Sequence, residues 1–109
     1  MAVTLSNSGS QTCTLTTWHD VDTLSAEAGV YVLAVDMTNL ALGETLDIRI
    51  ATNVRAADSE TVLYLATFAN AQAEPQVQSV PVVVIDDATF SIRQTGGTGR
   101  AFPWAVYSL

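Results

Sequence analysis

The sequence predicts an all-β fold, a single-domain antiparallel β-sandwich or jelly-roll-like barrel of about seven strands. Its 109 residues fit one domain that can bury a core without a metal or a disulfide. Apolar and polar residues alternate with a period of two in several segments, whereas helical periodicity is almost absent. Turn residues separate these segments, at Ala28-Gly29, Leu42–Glu44, Ala57–Ser59, Glu74-Pro75 and Asp86-Asp87.

The N-terminal part carries the weakest pattern. Residues 1–10 are rich in Ser, Asn and Gly and predict a flexible arm, so the sandwich domain is expected to span residues 11–109. The Thr-rich segment Gln11–Trp18 predicts a strand by its β-branched content. Asp20–Glu27 is expected to form a short helix or an irregular loop.

Three segments in the middle of the chain predict strands. Leu46–Ile50 alternates apolar and polar residues, which indicates a half-buried strand with a polar outer face. Val30–Asp36 and Val62–Phe68 are apolar on both faces, which is typical of strands inside a sheet covered on both sides. Ala69–Ala73 is the second segment expected to form a short helix or an irregular loop.

The C-terminal third predicts three further strands. Val80–Ile85 contains Pro81, which cannot donate to a β-ladder and therefore belongs at a sheet edge or a bulge. Phe90–Gln94 alternates, and Phe102–Tyr107 forms the last strand. Gln94–Arg100 is predicted to be a glycine-rich hairpin loop between these two strands.

This glycine-rich loop does not have the features of a phosphate-binding loop. Gly96, Gly97 and Gly99 lack the spacing of a P-loop, no Lys follows them, and Pro103 leaves no room for a helix. Arg100 is instead expected to anchor a carboxylate, either of this chain or of a partner.

Composition and charge exclude several functions. Acidic residues outnumber basic ones 11 to 4, so a net charge of −7 disfavours nucleic acid and anionic membranes as partners. The N-terminus resembles no secretory signal, and no segment is apolar enough to span a bilayer, so a soluble protein made in a cytoplasm is expected. Only 14% of residues are charged, which suggests that a partner covers part of the surface.

No residue cluster in the sequence predicts catalysis. The single Cys13 reads as a small strand residue, and the single His19 reads as a loop residue without a nucleophile or an orienting acid. The chain is therefore expected not to be an enzyme and to need no cofactor. Two weaker possibilities are a calcium site and a sugar-stacking platform. The first would use Asp20, Asp22, Asp86 and Asp87, and the second would use Trp18, Tyr31, Tyr64, Trp104 and Tyr107.

Four segments together resemble a known class of protein. They are GVYVLAVDMTNLALGETLDIRI (Gly29–Ile50), ATFANAQAEP (Ala66–Pro75), VPVVV (Val80–Val84) and FSIRQTGGTGRAFPWAVYSL (Phe90–Leu109). Their order is similar to that in small all-β virion proteins of tailed bacteriophages and related prophage or gene-transfer particles. QTGGTGRAFPW is the most specific part of the resemblance.

The resemblance implies a capsid decoration, or cement, protein. Such a protein would bind the outer surface of the major capsid protein, form a homo-oligomer (a trimer favoured) and stabilise the shell without touching DNA. Its location would be the outside of the virion after synthesis in the host cytoplasm. A low-copy neck, tail or head-spike component and a glycan-binding β-sandwich module are the alternatives.

Within this interpretation, five C-terminal residues are candidate interface residues: Arg93, Arg100, Phe102, Trp104 and Tyr107. Two of the four basic residues are among them, and charge-assisted contacts suit an otherwise acidic chain. Alternation sends Phe102 and Trp104 to one face and Tyr107 to the other. Some of these residues are therefore expected to pack in the core, and Arg100 could simply hold the loop. The arm is expected to reach a neighbouring subunit by strand addition.

Overall fold

The computed structural model describes residues 3–109, which contain nine β-strands and no helix. The all-β prediction is therefore confirmed. No helix in this part of the chain is long and apolar enough to cross a membrane. The strands are β1 (Thr4–Thr12), β2 (His19–Leu24), β3 (Gly29–Asp36), β4 (Thr45–Thr52), β5 (Thr61–Ala69), β6 (Gln76–Gln78), β7 (Val82–Val84), β8 (Ala88–Thr95) and β9 (Ala101–Ser108).

The strands form two antiparallel sheets. The five-stranded sheet has the order β1-β9-β3-β6, and β7 also pairs with β3. The four-stranded sheet has the order β2-β8-β4-β5. The molecule measures 40 × 30 × 19 Å, and its shortest dimension fits two sheets packed about 10 Å apart. Most connections cross from one sheet to the other, whereas β4 and β5 are direct neighbours within one sheet.

One hydrophobic core fills the space between the sheets. Alternate residues of β3, β4, β8 and β9 point into it, as the period-two pattern predicts. Each Leu, Ile or Phe that is fully buried stabilises the fold by roughly 1.5–3 kcal/mol relative to an exposed position. The largest apolar side chains that are fully buried include Leu33, Leu46, Ile48, Ile50, Phe90, Ile92 and Phe102.

The N-terminal predictions are corrected by strand β1. Residues Thr4–Ser10, predicted to belong to a flexible arm, are part of β1. This strand pairs with β9 in a register from Thr4↔Ser108 to Thr12↔Ala101. Their small polar side chains carry no burial signal, because β1 is a sheet edge whose residues are almost all exposed. The first two residues of the predicted arm lie outside the described residues.

The strand predicted at Gln11–Trp18 ends at Thr12. The chain then turns, because the Cys13 amide donates to the Arg100 carbonyl at 2.8 Å and the Thr16 amide donates to the Gln94 carbonyl at 2.7 Å. Thr16 also has a positive φ of 63°, which is incompatible with an extended strand. These contacts override the β-propensity of the threonines. Asp20–Glu27, predicted as a helix or loop, contains most of β2 instead.

The apolar strands are not covered on both sides. Val62, Leu63 and Leu65 of β5 are 55%, 54% and 58% exposed, and β5 is the edge of the four-stranded sheet. The outward residues of β3 are only half-buried. Within residues 3–109 the fold has two layers, so the second apolar face of these strands meets no third layer.

Pro81 lies at a sheet edge, as predicted. It falls between β6 and β7, two three-residue strands that both pair with β3. A proline has no amide hydrogen for the ladder, and the strand predicted over Val80–Ile85 accordingly begins only at Val82. The turn signals predict about seven strands, whereas residues 3–109 contain nine. The interruption at Pro81 and the separation of β1 from β2 account for the difference.

The glycine-rich loop joins the last two strands but does not form a hairpin. Strand β8 lies in the four-stranded sheet and β9 in the five-stranded sheet, so the loop crosses from one layer to the other. The hairpin prediction is wrong because sequence neighbours in a sandwich can pair with strands from distant parts of the chain. Here β8 pairs with β2 and β4, and β9 pairs with β1 and β3.

Candidate functional site on the outer face of the four-stranded sheet

The three aromatic interface candidates of β9 take different positions. Phe102 has no exposed surface and belongs to the core, so it cannot contact a partner in this fold. Trp104 is half-buried against the core, and its indole lies beside Gly9, where an added Cβ would be 3.2 Å from the ring. Tyr107 lies on the outer face of the five-stranded sheet.

Arg100 anchors a carboxylate of its own chain. Its Nη2 atom donates to Glu44 Oε2 at 3.0 Å, and its Nε atom also contacts both carboxylate oxygens. The Glu44 side chain is only 2% exposed, and the backbone amides of Ala41 and Thr98 donate to it as well. Hydrogen bonding from Arg100 is the main cause that lowers the pKa of Glu44 below its ordinary value. The sequence-based interpretation in which Arg100 holds the loop is therefore the one that matches the structure.

The glycine-rich loop is tied to neighbouring segments by hydrogen bonds and close backbone contacts. The buried Gln94 side chain donates to the Thr98 carbonyl at 2.7 Å and accepts from the Arg100 amide at 2.9 Å. An added Cβ at Gly97 would overlap the Glu44 side chain, and one at Gly99 would overlap the Cys13 carbonyl. The loop therefore holds its neighbours together, and its glycines serve these close contacts.

Arg93 is also paired within the chain. Its Nη2 atom lies 2.7 Å from Asp47 Oδ2, and Thr67 donates to the other carboxylate oxygen at 2.7 Å. These three residues come from β8, β4 and β5, so the network crosses three adjacent strands on the outer face of the four-stranded sheet. The Asp47 carboxylate is almost fully buried by its two partners.

Trp18 covers two guanidinium groups on this face. The centre of its ring lies 4.0 Å from the Cζ atom of Arg49 and 4.5 Å from that of Arg93. Arg49 alternates with the core residues Ile48 and Ile50, which places it on the outer face of β4. Such cation–π contacts are typically worth about 0.5–2 kcal/mol each, depending on how far water is excluded.

Arg49 differs from the other three arginines of the chain. Arg55 pairs with Asp58, Arg93 with Asp47 and Arg100 with Glu44. Within residues 3–109 Arg49 forms no salt bridge, and its guanidinium donates no hydrogen bond to the protein. It borders an open depression of about 350 Å³ whose other residues include Asp20, Glu60, Val62, Thr89 and Ser91.

The carboxylates beside this depression already have partners. Ser91 donates to Asp20 at 2.7 Å, and Thr89 donates to Glu60 at 2.8 Å. Neither carboxylate lies within salt-bridge distance of Arg49. The guanidinium is therefore available to an acceptor that comes from outside the chain.

Exposed aliphatic residues border Arg49 on the side of β5. Leu65 is the register partner of Arg49, and Val62 is the partner of Ala51, so both lie on the outer face. Each is more than half exposed. We refer to Trp18, Arg49, Val62 and Leu65 together as the Arg49 face. It combines a Trp ring and an unpaired guanidinium, two residue types enriched where binding energy is concentrated, with exposed aliphatic side chains.

A second apolar surface lies on the opposite side of the molecule. An open groove of about 480 Å³ runs over the five-stranded sheet. Its lining is mainly uncharged and includes Val32, Ala34, Pro103, Tyr107 and Leu109. Tyr107 and Trp104, two of the aromatic interface candidates of β9, both line this groove.

The calcium and sugar hypotheses lack a matching geometry. In the described part of the chain, no three His, Cys, Asp or Glu side chains come together as a group that could hold a metal. The five aromatic residues proposed for sugar stacking do not form one surface. Tyr31 is buried in the core, Tyr64 and Trp104 pack against the core, and Trp18 and Tyr107 lie on opposite outer faces.

Arg49 is not among the site residues predicted from the sequence. The alternation in Leu46–Ile50 correctly places Arg49 on the polar outer face of its strand. Its importance depends on Trp18, which reaches β4 only because the segment Cys13–Trp18 turns. The sequence contains one signal for this position. Arg49 lies on the polar face of Leu46–Ile50, and the next strand, Val62–Phe68, is apolar on both faces.

Comparison of the chain with protein-family models, with curated proteins and with solved structures gave no match.

Proposed function

We propose that this protein is a non-enzymatic structural subunit that decorates a bacteriophage capsid and stabilises it by binding the outer surface of the major capsid protein. The observation that carries the proposal is the Arg49 face, where Val62 and Leu65 are 55% and 58% exposed beside an unpaired arginine. Exposed apolar residues clustered around Trp and Arg mark surfaces that bind other proteins.

The strand order supports this proposal. With β6 and β7 counted as one strand interrupted at Pro81, the orders β1-β9-β3-β6/β7 and β2-β8-β4-β5 favour our proposal that the fold is an eight-stranded jelly roll. Jelly rolls consist of two Greek keys and are common in viral capsid domains and in lectins. The fold hosts several functions, so it adds to the argument from the surface and does not replace it.

The environment of the potentially catalytic residues supports a non-enzymatic role. Burial raises the pKa of the Cys13 thiol, which opposes formation of the thiolate that a cysteine nucleophile requires. His19 Nε2 accepts a hydrogen bond from the Thr14 amide at 2.9 Å, so this nitrogen serves the turn before β2. These environments favour a structural role for both residues.

The charge of the chain supports a place on the outside of the particle. A net charge of −7 repels DNA, whereas the outer surface of a shell separates the subunit from the packaged nucleic acid. The partners that follow from the resemblance are the major capsid protein and further copies of this chain, with a trimer favoured.

The experiment that tests the proposal is a measurement of copy number. The particle that carries this protein is purified, and the protein is quantified by mass spectrometry against the major capsid subunit. We expect a ratio near one, which corresponds to about one copy of this protein for each major capsid subunit. A handful of copies per particle would instead assign the chain to the neck, tail or a head spike, and absence from the particle would refute a virion role.

A further inference from the structure

We propose that the free edge of β5 is a self-association site, where two copies of this chain pair β5 with β5 in antiparallel orientation around a two-fold axis. The occupant of the edge is a second copy of this chain, and the four-stranded sheets of the two copies join into one continuous sheet. This inference needs no virion role, so the mass of the protein in solution tests it separately from the proposed function.

The backbone of β5 is open along one side. The strand spans Thr61–Ala69, pairs with β4 along its other side and is the last strand of its sheet. Within residues 3–109, β4 apart, only the Gln72 side chain hydrogen-bonds to this backbone, at the Ala69 carbonyl. The outward amides and carbonyls of the strand are therefore available to another strand.

The other sheet edges are protected against such pairing. Strand β2 carries Asp20 and Asp22, and the edge formed by β6 and β7 is short and interrupted at Pro81. Strand β1 is polar and has a bulge between Leu5 and Asn7. Charges, prolines, short strands and bulges are the devices that keep sheet edges from pairing with other chains.

Strand β5 has few of these devices. Its nine residues, TVLYLATFA, contain no charged residue and no proline, and a single bulge lies near the start of the strand. The segment from Tyr64 to Ala69 pairs with β4 in unbroken register. Among the edges of the two sheets, β5 is therefore the one best suited to bind a further strand.

The side chains of β5 suit a two-fold pairing. Tyr64, Ala66 and Phe68 pack against the core, whereas Leu65 lies on the outer face and is 58% exposed. Directly opposed residues of an antiparallel pair point to the same face of the sheet, so inward residues of one copy can continue the inner face of the other. The pairing also places each Leu65 beside the strand of the other copy, which removes apolar surface from water.

The charge of the chain is compatible with this contact. Each copy carries a net charge of −7, which repels a second copy at long range, but β5 itself is uncharged. Glu60 directly precedes the strand. Antiparallel pairing puts the two Glu60 residues at opposite ends of the paired strands, about 30 Å apart, whereas charges are screened beyond about 8 Å at physiological salt.

The size of the contact is sufficient for a specific dimer. Nine strand residues extend about 30 Å. The shortest dimension of the molecule is 19 Å, so a contact along this side covers about 600 Å² on each copy, or about 1,200 Å² in total. This area lies at the lower end of the range for specific interfaces, so we expect a reversible dimer with a micromolar dissociation constant.

The experiment measures the mass of the purified full chain by sedimentation velocity, at concentrations from about 1 μM to 1 mM. We expect the mass of one chain at the low end and of two chains at the high end. Raising the salt concentration should strengthen the dimer, because salt screens the repulsion between the two negatively charged copies.

Three variants locate the contact, and each replaces an exposed leucine by lysine. Leu65→Lys and Leu63→Lys change β5, where a lysine opposes edge pairing. Leu5→Lys is the matched control, because Leu5 lies on the edge strand β1, is 53% exposed and gives the same change in net charge. We expect each β5 variant to weaken dimerisation by about tenfold or more, while Leu5→Lys dimerises like the wild type. Circular dichroism and thermal melts establish that each variant folds, and two β5 positions keep the test valid if one variant does not.

Amide hydrogen exchange distinguishes strand pairing from a contact between side chains. In the dimer, the outward amides of β5 donate to the second copy and should exchange more slowly at high protein concentration than at low concentration. The amides on the free edge of β1 should exchange equally fast at both concentrations.

Four results would overturn the inference. They are a chain that stays monomeric up to about 1 mM, a dimer that both β5 variants leave intact, a dimer without slower exchange in β5, and a loss of the dimer in Leu5→Lys that equals the loss in the β5 variants. A trimer, the assembly that the resemblance favours, would also refute it, because two-fold pairing of one edge closes with two copies. The copy number on a particle is measured independently, so failure of either proposal leaves the other standing.

Discussion

Arg100 and Glu44 join two loops that are distant in the sequence. The guanidinium of Arg100, at the end of the glycine-rich loop, donates to the buried carboxylate of Glu44, which precedes β4. The same carboxylate accepts from the Thr98 amide within the glycine-rich loop. This pair therefore holds the glycine-rich loop, which crosses from one sheet to the other, against the loop between β3 and β4.

The pair predicts a specific loss of stability in acid. The folded-state pKa of Glu44 lies below its ordinary value of 4.5, mainly because Arg100 donates to the ionised form. Its contribution is therefore complete above pH 4.5 and is lost as the pH falls below 4.5 through the lowered folded pKa. We expect Glu44→Gln to lower the melting temperature at pH 7 and to lose less further stability than the wild type between pH 5 and pH 3. Thermal melts at several pH values measure this difference.

An exposed carboxylate provides the control for this prediction. Glu74 is exposed in the turn before Pro75, and Glu74→Gln should leave the melting curve close to that of the wild type at each pH. Glu44→Gln and wild-type curves that stay parallel down to pH 3 would contradict the role assigned to the pair.

Alanine substitution at two glycines with similar φ angles separates the cost of backbone strain from the cost of steric overlap. Gly97 and Gly43 have positive φ angles of 67° and 83°, so alanine at either position costs roughly 1–2 kcal/mol in backbone strain. An added Cβ at Gly97 also overlaps the Glu44 side chain, whereas Gly43 has nothing within 4 Å. We expect Gly97→Ala to lower the urea midpoint clearly more than Gly43→Ala, because overpacking adds about 1–3 kcal/mol. Equal midpoints would show that Glu44 moves aside without cost.

The strands with a clear alternation could be predicted from the sequence, and the sheet edges could not. Leu46–Ile50 and Phe90–Gln94 lie at the centre of a sheet, where one face is buried and a period of two follows. Strand β1 has almost no buried residue, so its sequence carries no such period. Strand β5 has apolar residues on a face that this chain leaves open, so local pattern predicts a covering layer that is not there.

The candidate site depends on contacts between distant segments. The outward position of Arg49 follows from alternation alone. Its stacking on Trp18 and the pairing of Arg93 with Asp47 depend on the turn at Cys13–Trp18 and on the order of strands in the sheet. Arg93 and Arg100 are predicted as interface residues because basic residues are rare in this chain, and both are neutralised within the fold.

Trp104 is expected to contribute less to stability than a fully buried aromatic residue. Full truncation of a buried Phe or Trp usually costs about 3–5 kcal/mol, and we expect about 2–3 kcal/mol for Trp104→Ala because its ring is half-buried. Phe102→Ala, on the same face of β9 and fully buried, is the comparison and should lie at the upper end of that range. Urea denaturation measures both. A Trp104→Ala protein as stable as the wild type would show that the indole serves a partner instead.

Cys13 is expected to react slowly in the folded protein. The thiol is buried, and this burial raises its pKa, so little thiolate forms at pH 8. We expect Ellman's reagent to modify the native chain much more slowly than the chain unfolded in urea. A Cys13→Ala protein with Ser59→Cys, which introduces a thiol at an exposed loop position, should react rapidly without urea. Equally rapid reaction of native Cys13 would contradict its burial.

Deletion of residues 1–10 is expected to destabilise the fold, in contrast to the removal of a flexible arm. The deletion removes most of β1 and exposes the edge of β9 along positions that include Trp104, whose indole lies beside Gly9. A loss of about 1–2 kcal/mol lowers the melting temperature of a domain of this size by roughly 4–16 °C. Leu5→Ser, which keeps the strand pairing and changes one exposed side chain, is the control and should melt like the wild type. Since an unpaired edge invites strand addition, the truncated protein should also associate at high concentration, and a monomer with an unchanged melting temperature would restore the arm interpretation.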